Sequence, residues 1–209
     1  SKEQHQKYLP KLAAGEIVGT LAHTETTNSP SPENINCELS NNKLNGIKIA
    51  VTDGDVANFA VVSAKEGDKV VLGLVDLSSI GVEITSQNTL DPSRSHASIK
   101  FKDADAEILG SSQDGWVALQ EILDHAAVLF SFEQLGGAEA CMDMAKEYAM
   151  GRFAFGRPIA SFQAIKHKIA DMYIAVELAR SNCYFGAWAL STDAPELATA
   201  AATARVSAS

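Results

Sequence analysis

Two arginines lie beside a turn between two segments of helical pattern, and together they could bind an anion. Arg152 precedes the turn, Arg157 lies at its end, and Gly156 and Pro158 mark where one helix would stop and the next begin. Ser161 is a suitable N-cap residue for the second helix. Guanidinium groups form paired hydrogen bonds with phosphate, and a helix N-terminus attracts negative charge. The alternative is a solvated connection, because basic residues are common on exposed turns.

The segments on either side of this turn are predicted to be long helices. Apolar residues recur at helical spacing over residues 116–150 and again over residues 162–190. Pro195 suits the first turn of a third, alanine-rich helix that runs toward the end of the sequence. Residues 109–209 are therefore expected to form an antiparallel helical bundle domain with one face left open.

The pattern changes between residues 16 and 108, where short alternations of apolar and polar residues are separated by turn residues. The strand candidates cover residues 17–24, 34–39, 47–51, 59–63, 70–76, 82–86 and 97–101. Residues 65–68 are expected to join two of these strands as a hairpin. This spacing predicts a small β-barrel or β-sandwich domain. A short helix over residues 3–14 precedes it, with Gly15 as its stop signal.

The composition is that of an ordinary globular protein. The chain has 209 residues, of which 46% are hydrophobic and 21% charged, and its formal net charge is −9. This acidic balance argues against a broad nucleic-acid surface, and charges interrupt every apolar run well short of a membrane span. Cys37, Cys141 and Cys183 form neither a CxxC pair nor a cluster with histidines. The sequence therefore predicts reduced thiols, no metal site and a cytoplasmic location.

The sequence around the turn resembles the acyl-CoA dehydrogenase family. The family pattern places Tyr, Arg, Phe-Gly, Pro-Ile, Phe-Gln and Ala-Asp-Met at fixed spacings. The matching residues are Tyr148, Arg152, Phe155-Gly156, Pro158-Ile159, Phe162-Gln163 and Ala170-Asp171-Met172. The resemblance implies an α+β fold. Residues 1–15 would end an N-terminal helical domain, residues 16–108 would form the β domain, and residues 109–209 would form part of the C-terminal helical bundle domain.

The resemblance implies that FAD binds between the β domain and the C-terminal helices. The adenine and pyrophosphate end of the cofactor would also reach a neighbouring subunit. Arg152 and Gln163 match the family residues that meet this end, and Phe155 matches an aromatic residue that packs there. Ala154 stands where the family often has a hydroxyl residue, which implies one hydrogen bond fewer to the flavin.

On the β-domain side, the resemblance implies two further flavin contacts. Thr24 and Glu25 match the start of the family motif Thr-Glu-Pro-Gly-x-Gly-Ser-Asp, but residues 26–31 lack its glycines. Glycine lets a backbone approach a ring or a thioester closely, so this approach is altered here. Thr52 matches the threonine of Lys-x-Trp-Ile-Thr-Asn-Gly, where Ala50 replaces the tryptophan. From the residues alone, Thr52-Asp53-Gly54 is simply a turn.

The family's catalytic base is a glutamate that removes the α-proton of an acyl-CoA while a hydride leaves for the flavin. In most members this glutamate lies beyond the point where this sequence ends, and in some it lies two residues after an aspartate that matches Asp124. That position is Ala126 here, and Ala127 follows where arginine is common. No catalytic residue is therefore assigned in this chain.

The resemblance thus implies an acyl-CoA dehydrogenase-type oxidoreductase chain that acts on an acyl-CoA in the oxidation of a fatty-acid or steroid side chain. Its electron acceptor would be an electron-transfer flavoprotein or a similar protein. Because the base is missing, the chain is expected to be the non-catalytic partner in an oligomer with a related subunit. The alternatives are a structural or interaction protein that keeps only the fold, and an oxidase or monooxygenase on the same fold.

Overall fold

The computed structural model describes residues 1–28, 30–110 and 115–209. The chain divides into two compact units, residues 1–119 and residues 120–209. A sheet dominates the first unit and helices form the second. The predicted α+β class is therefore confirmed.

Helix α1, Lys2–Ala13, opens the first unit and is anchored to its sheet by one buried side chain. The Ser1 hydroxyl accepts a hydrogen bond from the Gln4 backbone amide as part of a capping box, and Gly15 follows the helix with a φ of 69°. The Gln4 side chain donates to the Glu107 carboxylate at 2.7 Å and to the Ile108 carbonyl at 3.1 Å. These bonds fix α1 beside the last strand of the sheet.

The sheet of the first unit is mixed and mainly antiparallel. Its strands are β1 (Gly19–Ala22), β2 (Glu38–Ser40), β3 (Lys43–Thr52), β4 (Phe59–Glu66), β5 (Lys69–Asp76), β6 (Val82–Gln87), β7 (His96–Asp105) and β8 (Glu107–Leu109). Their order is β6-β7-β3-β2-β4-β5-β8, with β1 parallel to β4. Among the described residues, these pairings follow an open path from β6 to β8.

Inward-facing residues of this sheet form the core of the first unit. The fully buried side chains are aliphatic for the most part, and they include Leu39, Leu44, Val62, Val71, Val75 and Ile99. Burial of each such side chain contributes about 1.5–3 kcal/mol. This core makes the sheet a rigid support for the loops at its edges.

The strand predicted over residues 34–39 is largely replaced by irregular chain. Pro32–Asn34 forms a short 3₁₀ turn, and β2 begins only after Cys37. The backbone amides of Asn36 and Cys37 donate to the Glu25 carboxylate instead of to a neighbouring strand. The Glu25 carboxylate therefore binds the backbone amides that would otherwise pair with a neighbouring strand.

The second unit consists of long antiparallel helices, as predicted. They are α2 (Gly115–Gly151, whose first residues belong to the first unit), α3 (Gln163–Ser191) and α4 (Leu197–Ala208). Phe132 of α2 packs edge-on against Tyr184 of α3, and Glu139 of α2 pairs with Arg180 of α3 at 2.9 Å. From the first pair to the second, the residue number rises along α2 and falls along α3. The two helices are therefore antiparallel. No helix in the described part of the chain is both long and apolar enough to cross a membrane.

Candidate functional site

The connection between α2 and α3 is a small β-ribbon rather than a plain turn. Strand β9 (Phe153–Ala154) pairs antiparallel with strand β10 (Arg157–Pro158). Phe155 and Gly156, with φ values of 53° and 78°, form the two-residue loop between them. Positive φ at both positions is the geometry of a type I′ hairpin turn. The sequence did not predict the ribbon, because strands of two residues leave no periodic pattern.

Three side chains of this connection pack together. The Arg157 guanidinium lies over the Phe162 ring, 4.2 Å from its centre, and the Phe155 and Phe162 rings meet edge to face at 6.1 Å. A guanidinium over an aromatic face is held by a cation–π interaction. The Phe155 side chain nevertheless remains 95% exposed. The ribbon therefore presents an aromatic ring and a fixed guanidinium at the surface of the second unit.

Arg152 lies at the base of the ribbon and is fixed through its backbone. Its amide donates to the Tyr148 carbonyl at 2.9 Å, and its carbonyl accepts from the Ile159 amide at 2.8 Å. Its side chain is exposed and, within the described residues, makes no salt bridge, either with Glu147 or with any other carboxylate. A free guanidinium on a fixed backbone can receive an anion.

Gln163 is the first residue of α3 and is exposed. The prediction that Ser161 caps this helix is wrong. A short 3₁₀ turn, Ile159–Ser161, intervenes, and the Ser161 hydroxyl donates to the Pro158 carbonyl at 2.7 Å. Phe162 occupies the N-cap position, and no side chain there accepts a hydrogen bond from the first amides of the helix. Those amides keep their capacity to bind an acceptor from outside the chain.

The structure places Arg152, Phe155 and Gln163 together on this one connection in the second unit. The other two predicted contacts, Thr24 and Thr52, lie in the first unit. The Thr24 carbonyl accepts from the Ile49 amide at 2.9 Å, and the Thr20 hydroxyl donates to the Thr52 carbonyl at 2.6 Å. Thr24 and Thr52 therefore lie on two neighbouring segments, where β1 and the chain after it run beside β3.

The turn predicted after Thr52 is confirmed, and a bulge precedes it. Asp53 has a φ of 55°, and the Gly54 amide donates to the Val51 carbonyl at 3.2 Å. Between Lys48 and Val51, β3 has one residue more than its partner β7, and Ala50 has a φ of 50°. The position of the family's tryptophan thus lies in a β-bulge, which redirects the side chains that follow. Ser29, in the loop after Thr24, lies outside the described residues.

Glu25, the residue after Thr24, forms a buried ion pair with Lys48. The sequence did not predict this pair. The Lys48 side chain is 0% exposed, and its ammonium group lies 2.7 Å from the Glu25 carboxylate, whose side chain is 8% exposed. The ammonium also donates to the Ser63 hydroxyl at 3.0 Å. One feature of the sequence could have indicated this ion pair. Lys48 falls on the inward-facing positions of β3, where a cation requires an anionic partner.

Burial and this pair set the protonation of the surrounding groups. Burial alone would raise the pKa of Glu25, but the hydrogen bonds from Lys48 and from the Cys37 and Asn36 amides, together with the Lys48 charge, outweigh it, so the pKa lies below its usual value. Burial and the Lys48 charge lower the pKa of His23. Burial raises the pKa of the Cys37 thiol to about 12. Glu25 is therefore ionised near neutral pH, while His23 and Cys37 are uncharged.

Helix α2 carries no carboxylate at the position expected for a base. Ala126 and Ala127 are partly buried on that helix. In the described part of the chain, no group of three or more His, Cys, Asp or Glu residues is arranged to hold a metal ion. Cys37 and Cys183 are buried and Cys141 is exposed, and all three are free thiols.

A sheet unit is followed by a unit of antiparallel helices, in which the ribbon between α2 and α3 presents cationic and aromatic groups. Residues 113–209 match the acyl-CoA dehydrogenase C-terminal domain. The 2-methylacyl-CoA dehydrogenase of Solanum tuberosum mitochondria is 32% identical over 197 residues, which cover 87% of this chain and 48% of that protein.

Two solved structures share the fold over the whole chain. A chain in the structure of the electron transferring flavoprotein of Acidaminococcus fermentans has a TM-score of 0.92 and 28% identity, and 58% of that chain is covered. A glutaryl-CoA dehydrogenase of Mycobacterium smegmatis in complex with FADH2 has a TM-score of 0.88 and 23% identity, with 57% covered. The chain belongs to the acyl-CoA dehydrogenase family. It spans about half the length of the curated relatives it matches.

Proposed function

We propose that this chain is part of an FAD-dependent enzyme that introduces an α,β double bond into an acyl-CoA thioester. The observation that carries the proposal is the connection between α2 and α3, which combines a free guanidinium, an exposed aromatic ring and an uncapped helix start within residues 152–163. These groups suit the diphosphate and adenine of a dinucleotide cofactor. Relatives named as acyl-CoA dehydrogenases support the choice of reaction.

The residues present fit FAD at its adenine and pyrophosphate end. The Arg152 guanidinium would bind the diphosphate, because it is exposed and makes no salt bridge in the described residues. The Gln163 amide can both donate and accept, and the exposed Phe155 ring offers a flat apolar surface. Thr24 and Thr52 would contact the flavin ring from the first unit. When bound, FAD supplies the hydride acceptor.

The chain's own contribution is to bind and orient, since Ala126 and Ala127 offer only methyl groups at the position of the base. Removal of the α-proton therefore requires a carboxylate from outside these 209 residues. We assign it to a related subunit of a hetero-oligomer. The exposed aromatic rings of Phe155, Tyr184 and Trp188 support an interface on the second unit. Electrons would pass to an electron-transfer flavoprotein or a similar acceptor, and the free thiols suit a cytoplasmic location.

FAD binding to the purified full chain and to its Arg152→Gln variant tests this proposal. Removal of the guanidinium should weaken FAD binding about tenfold or more, because a charge-assisted contact to the diphosphate is lost. Lys7→Gln, which removes a surface cation from α1 in the other unit, is the matched control and should leave the affinity unchanged. Quenching of the flavin fluorescence measures the FAD affinity of both variants. Absence of FAD binding by the full chain would reject the proposal.

The second candidate is a structural or interaction protein that keeps only the fold. The replacement of both the base and the flavin-packing tryptophan by alanine, at positions 126 and 50, favours it. This candidate predicts neither flavin absorbance in the purified chain nor heat of binding when an acyl-CoA is titrated by calorimetry. Either signal would reject it.

A further inference from the structure

The buried Glu25–Lys48 pair joins four segments of the first unit. One oxygen of the Glu25 carboxylate accepts from the Asn36 amide at 2.7 Å, and the other accepts from the Cys37 amide at 3.1 Å and from Lys48 at 2.7 Å. Lys48 then donates to Ser63 at 3.0 Å. The loop after β1, the segment before β2, and strands β3 and β4 therefore meet at one charged pair.

Two successive residues of the loop are bonded to two successive residues of β3. The Thr24 carbonyl accepts from the Ile49 amide, and the Glu25 side chain binds the neighbouring Lys48. The bulge at Ala50 begins directly after this attachment, and Thr52 ends the strand. The pair therefore fixes the loop that carries Thr24 against the part of β3 that leads to Thr52.

The pair is poorly explained as a device for stability alone. Desolvation of two charges cancels much of their attraction, and an apolar pair of similar volume often stabilises a core as well or better. The rest of this core is aliphatic for the most part, and the Lys48 side chain is fully buried. A charged pair does provide what an apolar pair lacks, namely directional bonds that hold loop backbone in one place.

We propose that Glu25 and Lys48 are positioning residues that hold Thr24 and Thr52 in the arrangement needed to contact the flavin ring. This inference rests on the proposed FAD-dependent function. The pair acts by fixing the loop that carries Thr24 against the bulged part of β3 that leads to Thr52. Without it, the first unit would keep its core, but the Thr24–Ile49 backbone hydrogen bond alone would hold the loop to β3, and the bonds from Glu25 to the segment before β2 would be lost.

The Glu25→Gln/Lys48→Met double variant of the full chain tests the proposal. It removes both charges at nearly constant volume and leaves an amide oxygen for one of the backbone donors. FAD affinity should fall about tenfold or more, and the visible absorption band of the bound flavin should shift, because the ring is held less firmly. The urea midpoint of the double variant should stay near that of the wild type. A wild-type affinity together with a wild-type band would overturn the proposal.

Leu44→Ala is the matched control, because Leu44 lies on the same strand and is fully buried in the same core. It should lower the urea midpoint and leave both the FAD affinity and the visible band unchanged. If Leu44→Ala reduces FAD binding as much as the double variant does, the effect is one of stability and the positioning role is rejected. A wild-type chain that binds no FAD would instead reject the proposed function, and this inference with it.

Discussion

Lys48 is a fully buried cation, and Glu25 is its only carboxylate partner among the residues that the structure describes. Replacement of Lys48 by Met should destabilise the first unit by about 3–5 kcal/mol, because Glu25 would remain as a buried, unpaired charge. Urea unfolding followed by circular dichroism measures the change. The Glu25→Gln/Lys48→Met double variant should recover most of the loss, since it removes both charges. A Lys48→Met variant as stable as the wild type would show that the two side chains are not coupled.

The ionisation of Glu25 should make stability depend on pH in the acid range. Its pKa in the folded chain lies below its usual value, since burial is outweighed by the charge of Lys48 and by the hydrogen bonds from Lys48, Cys37 and Asn36 together. The stabilisation is therefore complete above the pKa of the unfolded state and is lost as the pH falls through the folded pKa. The difference in unfolding free energy between wild type and Glu25→Gln should shrink as the pH falls from above the usual pKa of a glutamate through the lower pKa of folded Glu25. A constant difference would contradict this account.

At the scale of single residues, the sequence predicted which candidate residues lie close together much better on the helical side than on the sheet side. Arg152, Phe155 and Gln163 lie within a short stretch, so their spacing alone brings them together. The Glu25–Lys48 pair joins residues on different segments, and its formation depends on the register of β3 against the chain after β1. A single buried lysine was the only local sign of it.

At the scale of elements, strong periodic patterns predicted the helices and most strands correctly. The hairpin of β4 and β5 and the turn at Asn41 and Asn42, with φ values of 50° and 61°, follow from local turn chemistry. The segment at residues 34–39 and the ribbon before α3 were not predicted correctly. In the first, a distant carboxylate takes the backbone donors. In the second, the strands are too short to leave a pattern.

The glycines within the helices provide a prediction at this scale. Gly137 lies inside α2, and an added Cβ would meet nothing within 4 Å. Gly137→Ala should therefore stabilise the chain by about 0.5–1 kcal/mol, because alanine loses less backbone entropy in a helix. Gly186 lies inside α3, where an added Cβ would meet Val128 at 3.3 Å and Ala204 at 3.4 Å. Gly186→Ala is the contrasting control.

Thermal unfolding of both variants measures the difference between the two sites. Gly186→Ala should stabilise the chain less than Gly137→Ala does, or should destabilise it, because helices α2 and α4 must move to admit the methyl group. Equal stabilisation by both substitutions would mean that the helices of the second unit pack less tightly than the structure shows.

At the scale of the whole molecule, binding residues and catalytic residues are unequally represented in this chain. The groups suited to the adenine and pyrophosphate end of FAD are present, whereas the base and the aromatic residue beside the flavin are alanines at positions 126 and 50. The family fold is intact in both units. Under the proposed function, two related subunits would complete each cofactor site between them.

This division of roles predicts the cofactor content of the native protein. If each FAD site needs the base and the flavin-packing aromatic residue of a partner subunit, the purified native complex should contain fewer FAD molecules than copies of this chain and its partner combined. Acid-released FAD, measured by absorbance and divided by subunit amounts from quantitative mass spectrometry, gives this ratio. The chain isolated without the partner should bind FAD weakly and show no turnover of an acyl-CoA with an artificial electron acceptor. Full FAD occupancy and turnover in a homo-oligomer of this chain would contradict the partner role and would place the base elsewhere in the same polypeptide.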